Sequence, residues 1–211
     1  MVDEVGHSNE ELVTISSLEA YFHDSMDAAL AANRVALDDH TTHYVVNLLT
    51  LYSRSDALYE QTEDGYQLRP LAAMFADAVS ASSDNQRQQI LKRVGDVALF
   101  ISGFFSAGLE RAAVDVDYYV YMGGGAYHSL ALDSRGARVR ALAAVFDELA
   151  AKFQDLVDVL NEVRESARGE SDTNVLRQYE LWIKTGSRRA ERLLRSAGVQ
   201  PMPQARVGYE H

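Results

Sequence analysis

Apolar residues recur at spacings of three and four along most of this chain, and no convincing strand pattern interrupts them, so the sequence predicts helices almost throughout. Leu18, Tyr21, Phe22, Met26, Ala29 and Leu30 trace a first helix to about Val35, opened by a capping box at Ser16-Ser-Leu-Glu19. Thr41 or Thr42 is expected to cap a second helix, whose wide apolar face is Tyr44, Val45, Leu48, Leu49, Leu51 and Tyr52. Glu60 to Arg69 reads as a loop, and Pro70 suits the first turn of a third helix over 70–82. In the most apolar segment, Ile90 to Leu109, Leu91, Val94, Ala98, Ile101 and Phe105 trace one side while Val97, Phe100 and Phe104 widen it. That helix is expected to be buried nearly all round. A helix over 115–132 follows, and Val139 to Val163 keep the same rhythm through one long amphipathic helix over 137–166. Thr173 opens a final helix containing Leu181 and Trp182, with Gly186 and Ser187 as a break or kink and Gly198 as its end.

These elements define an all-α, single-domain helical bundle of six to eight helices over 1–198, followed by a flexible C-terminal tail over 199–211. A length of 211 residues suits one core, and with only three prolines the chain has few helix breakers. There is no cysteine, which excludes disulfides, thiolate nucleophiles and cysteine-ligated metal centres. Residues 1–84 carry 15 acidic and three basic side chains, whereas residues 85–211 carry 16 and 17. The acidic amino-terminal part repels polyanions and argues against nucleic acid as a partner. Neither a signal-type amino terminus nor an apolar run of membrane-spanning length is apparent, so a soluble, cytoplasmic protein without membrane contact is expected.

Three consecutive glycines, Gly123, Gly124 and Gly125, stand inside the helix that runs through Asp117-Tyr-Tyr-Val-Tyr-Met. Each costs a helix interior about 1 kcal/mol relative to alanine, so something must pack closely against that backbone. One reading is a helix crossing in which the small pair Gly125 and Ser129 meets Gly103 and Ala107 of the preceding helix. The other is a planar ligand lying on the glycines, flanked by Tyr118, Tyr119, Tyr121 and Tyr127, with His128 as ligand or proton donor. Asp96 adds a carboxylate within the apolar segment, and burial there requires a cation or hydroxyl partner, expected to be an Arg or Tyr of a neighbouring helix.

The run Tyr119-Val-Tyr-Met-Gly-Gly-Gly-Ala-Tyr127 resembles the glycine-rich distal helix of haem oxygenases over about a dozen residues. That resemblance implies a haem beside the glycines and an iron-ligating histidine near the amino terminus, for which His23 is the nearest candidate. Leu91 to Phe105, Asp117 to Tyr127 and Trp182 to Arg189 together resemble bacterial all-helical proteins to which no activity is attached.

Other constellations point to structure more than to chemistry. Glu19 with His23, and His40 with His43, lie one helical turn apart, but the chain does not carry Glu-x-x-His on two helices as a di-iron bundle does, and no metal is expected. Residues 173–196 hold six basic and two acidic side chains, a stripe expected to be solvated or paired with the acidic amino-terminal part. No nucleophilic triad is identifiable, and neither an enzyme activity nor a cofactor is assigned. The expectation is a non-catalytic protein acting through self-association, as a homodimer, or through a protein partner. A small-molecule or cofactor-binding bundle, with Asp96, Tyr118, Tyr121, Gly123, Gly124, Gly125, Tyr127 and His128 around the pocket, is the alternative.

Overall fold

The computed structural model describes residues 18–53, 58–62, 65–105, 115–133, 137–168, 178, 181–182, 185–196 and 199. Among them are eight helices: α1 Leu18–Asn33, α2 Asp39–Tyr52, α3 Leu71–Val79, α4 Asp84–Phe104, α5 Val116–Asp133, α6 Ala137–Ala151, α7 Phe153–Arg168 and α8 Arg188–Ser196. The fold is an all-α bundle, as the apolar periodicity predicts. Ser16, Ala107, Gly198 and the tail beyond Val199 lie outside the described residues.

Helix α4 forms the middle of the bundle. It packs on α2, α3, α5 and α7, and every residue from Val94 to Gly103 is buried, so that part of the apolar run is covered on all sides, whereas Phe105, expected on the same side, follows the helix end and is 43 % exposed, and residues 106–109 lie outside the described residues. Its start is fixed by Ser83, whose hydroxyl accepts the Gln86 N–H at 3.2 Å. Leu91, Val94, Val97 and Leu99 join Met26, Val45, Leu49, Leu149, Leu156 and Leu160 in one apolar core.

Several local expectations need correction. Asp38, not Thr41 or Thr42, caps α2: its carboxylate accepts the His40 N–H at 2.9 Å, and Thr41 is buried in the first turn. Leu51 does not belong to the buried face of α2 and is 53 % exposed. The expected loop after α2 contains a small hairpin, β1 Glu60–Thr62 antiparallel to β2 Gly65–Gln67, with Gln61 opposite Tyr66. Strands of three residues are too short to show a period of two. Pro70 precedes α3 as its N-cap and is not its first helical residue. The single long helix over 137–166 is two helices, α6 and α7, interrupted at Lys152. Leu149, Phe153 and Leu156 stay buried across that interruption, which is why the apolar rhythm does not register it.

Polar contacts dock α8. Gly186, at φ 72°, ends the preceding turn in the left-handed region that favours glycine. The Ser187 hydroxyl then accepts the Ala190 N–H at 3.0 Å and donates to Asp158 Oδ1 at 2.7 Å, while the Arg189 N–H donates to Asp158 Oδ2 at 3.1 Å. Burial pushes the Asp158 carboxyl up, against the opposing pull of Ser187, the Arg189 N–H, Gln154 and the Arg189 charge. The Arg189 guanidinium pairs with Glu162 and Glu165 of α7. Arg192 donates to the Ala32 carbonyl at 3.0 Å and Asn33 Oδ1 at 2.6 Å, capping the C-terminal end of α1. Much of the basic stripe is therefore a set of docking contacts, with Trp182, Ala190 and Leu194 in a small satellite core beneath it.

Candidate functional site

Helix α5 separates two constellations, one sealed in the core and one open to solvent. The sealed one starts at Gly95 and Asp96 of α4. A Cβ on Gly95 would stand 2.5 Å from Tyr127 Cε1, so the missing side chain is what admits the Tyr127 ring. The ring brings its hydroxyl to the adjacent residue, where it donates to Asp96 Oδ1 at 2.8 Å. Tyr44 of α2 donates to the same oxygen at 2.5 Å, and the Lys92 ammonium, one turn back on α4, donates to Oδ2 at 2.6 Å. Lys92 also stands 5.0 Å from the Tyr44 ring centroid, a cation–π contact. Phe146 of α6 stacks on Tyr127 at 5.8 Å and meets Tyr44 edge-on.

The buried carboxylate thus has a cation and two hydroxyl donors, and one of the tyrosines expected around the glycines is a partner. Burial, reinforced by the Asp96 charge, pushes the hydroxyls of Tyr44, Tyr52 and Tyr127 well above the ordinary phenol range. All three stay un-ionised at neutral pH, and Tyr44 and Tyr127 donate to Asp96. This network, buried except towards the part-exposed Lys92 and Tyr44, clamps α2 and α5 to α4.

The open constellation is a groove of about 800 Å³ between α3, α5 and α6. Phe75 forms one wall, Gly124, Gly125 and His128 the floor, and Asp147, Ala150 and Ala151 the other wall, with Tyr121 at the edge. Tyr121 is 81 % exposed, and His128 and Gly125 are exposed as well. The Ser129 hydroxyl donates back to the Gly125 carbonyl at 2.9 Å, which satisfies it within the helix.

The three glycines have three different surroundings. A Cβ on Gly123 would stand 2.4 Å from Phe153 Cζ and 2.7 Å from Ala98 Cβ, so this glycine is filled from inside the bundle. Among the described residues, the atom nearest a Cβ on Gly124 would be Phe153 Cβ at 3.8 Å, an ordinary contact, and none lies within 4 Å of one on Gly125. The expected crossing of Gly125 on Gly103 therefore does not form among the described residues, and Ala107 lies outside them. Helices α4 and α5 do pack extensively, but through Gly95 on Tyr127 and Gly123 on Ala98, while Gly103 faces Leu160 of α7.

Of the residues expected around one pocket, the groove gathers Tyr121, Gly124, Gly125 and His128. Asp96, Tyr127 and Gly123 are buried under α5, and half-buried Tyr118 packs edge-on against Tyr119 at 5.6 Å. His23 pairs with Asp27 at 3.3 Å on the exposed side of α1 and does not line the groove, so the histidine available beside the glycines is His128. Sequence reasoning did not reach Phe75, Asp147 or Ala150, because only the packing of α3 and α6 on α5 brings them there. Gly95 and Lys92 were within reach, since one precedes Asp96 directly and the other stands at i−4.

A second hollow, of about 440 Å³, lies beside the start of α2, lined by Asp38, His40, Thr41, Asp147 and Glu148 among others. Glu148 accepts the Asp38 N–H at 3.1 Å and the Lys152 ammonium at 2.7 Å, and Lys152 also donates to the Ala36 carbonyl at 2.6 Å. Burial pushes the Glu148 carboxyl up, but Lys152, Thr41 and the Asp38 N–H outweigh it and hold the group below its ordinary value. This cluster clips the α1–α2 link to α6. Among the described residues no group of three or more His, Asp or Glu is arranged to hold a metal ion, and no helix is long and apolar enough to cross a membrane.

Comparison with protein-family models, curated proteins and solved structures finds no match to this chain. The site is read from its own geometry.

Two predictions follow from this geometry. In dilute protein, Gly123→Ala should cost about 1–3 kcal/mol of unfolding free energy through overpacking against Phe153, whereas Gly125→Ala should gain about 0.5–1 kcal/mol. Equal effects in urea unfolding would show that the two glycines do not differ in surroundings. The tyrosine hydroxyls, held above their ordinary value of 10.0 in the folded state, contribute stability that is complete below that pH and lost as pH rises through the folded values. Absorbance titration should find Tyr44, Tyr52 and Tyr127 un-ionised while the helices persist, then ionising together with unfolding. Their ionisation at the ordinary value with helicity intact would contradict the sealed network.

Proposed function

We propose that the chain is a cytoplasmic, non-catalytic helical protein that acts by binding a protein surface, its own or a partner's, at the groove face of α5. The observation that carries this reading is Gly125: it weakens the helix, yet among the described residues no atom occupies the space its missing side chain leaves. Tyr121, Gly125, His128 and Leu132 follow one another at spacings of four, three and four, the spacing of a helix seam, and all four are exposed. Leu132 is 68 % exposed, a large apolar side chain on the same stripe as Tyr121.

A second reading is a planar small molecule in the groove, favoured by a volume that lies within the range of ligand pockets, with His128 at its floor. One experiment addresses both. Native mass spectrometry of the protein isolated gently from the cells that make it should find a species heavier than one 23.4 kDa chain by at least a protein's mass, and Tyr121→Glu should abolish it. The small increment of a bound molecule would favour the second reading. A bare single chain, identical for wild type and variant, would overturn both.

A further inference from the structure

We propose that the hollow at the start of α2 binds a small organic cation, an ammonium or guanidinium carried on a short apolar chain. Of the described residues around it, only Asp147 also borders the α5 groove, so the site does not depend on what that groove binds. The observation that points to a ligand is Thr41. Its side chain lines the hollow and is only 1 % exposed, yet its hydroxyl oxygen makes no hydrogen bond among the described residues. The hydroxyl favours the charged form of Glu148, on the wall of the hollow, without closing a hydrogen bond to it. A buried hydroxyl oxygen that lacks a donor costs stability, and an incoming N–H removes that cost.

The charges around Thr41 select the sign of the ligand. Asp38, Asp147 and Glu148 line the hollow together with His40. Glu148 accepts the Asp38 N–H and the Lys152 ammonium, and Asp38 Oδ1 accepts the His40 N–H. Asp147 is exposed and makes no ion pair among the described residues. Three carboxylates against the one ammonium of Lys152 leave an excess of negative charge, and the chain's net charge of -11 draws cations toward it. These groups are not arranged to hold a metal ion, and Ala141, Ala144 and Val145 complete the wall with apolar surface. A charged head on a short hydrocarbon chain matches both parts, and a volume of about 440 Å³ lies within the range of small-ligand sites.

The probe is n-butylammonium, and butanoate, with a chain of the same length and the opposite charge, is the control. In an NMR titration of the full-length chain at neutral pH, butylammonium should shift the amide signals of Thr41, His40 and Asp147 with a Kd below about 1 mM, and butanoate should leave them unmoved. Thr41→Val keeps the branched shape of the side chain and removes the hydroxyl. It should weaken butylammonium binding at least about tenfold, with the urea midpoint unchanged or raised because no hydrogen bond within the chain is lost. Asp147→Asn, at an exposed position, should also weaken binding by about tenfold. The proposal is overturned if the shifts do not saturate by about 10 mM butylammonium, if butanoate produces them equally, or if Thr41→Val binds as tightly as wild type. Should Thr41→Val fail to fold, wild-type affinity in Asp147→Asn overturns it instead.

Discussion

The fold depends on one buried carboxylate. Asp96 lies on the most enclosed helix of the bundle, where an unpaired charge would cost several kcal/mol, and three helices supply what offsets that cost. Lys92 comes from the same helix, Tyr44 from α2 and Tyr127 from α5. A residue with no side chain makes the arrangement possible: Gly95 leaves room for the Tyr127 ring, and the ring carries its hydroxyl to the next residue along α4. Apolar packing alone would allow α5 to rotate or slide on α4, because hydrophobic contact has no direction. The hydrogen bonds to Asp96 have one, and they fix which face of α5 is turned inward.

Fixing the inner face also fixes the outer one. With Tyr127 and Gly123 committed to the core, the described positions that remain exposed on the outside of α5 are Asp117, Tyr121, Gly125, His128 and Leu132. The glycine run therefore spans a boundary. Gly123 belongs to the close packing of Phe153 and Ala98, Gly124 lies on the floor of the groove, and Gly125 meets no atom of the described residues. A single sequence feature serves packing at one end and, in the proposed function, contact with another molecule at the other.

Much of the helical architecture was legible because burial of α1, α2, α4, α6 and α7 writes a three-four rhythm into the sequence. The need of Asp96 for a hydroxyl or cationic partner was legible too, since it follows from placing a carboxylate in an apolar run. What the rhythm does not encode is the interruption at Lys152, where Leu149, Phe153 and Leu156 keep the same buried side, or the hairpin, whose strands are only three residues long. The candidate pocket was half legible. Residues on one helix can be assigned to a common stretch, but whether Tyr121 and Tyr127 share a face depends on the helical turn, and they do not. The opposite wall, Phe75, Asp147 and Ala150, comes from helices distant in sequence, and no spacing rule within α5 points to them.

The account is tested most directly at Gly95. Alanine in place of a glycine inside a helix ordinarily stabilises by about 0.5–1 kcal/mol, whereas here the added methyl meets the Tyr127 ring and displaces its hydroxyl from Asp96. Denaturant unfolding of Gly95→Ala is predicted to show a loss of about 1–3 kcal/mol. A gain in stability would contradict the claim that this glycine and its neighbouring carboxylate set the position of α5.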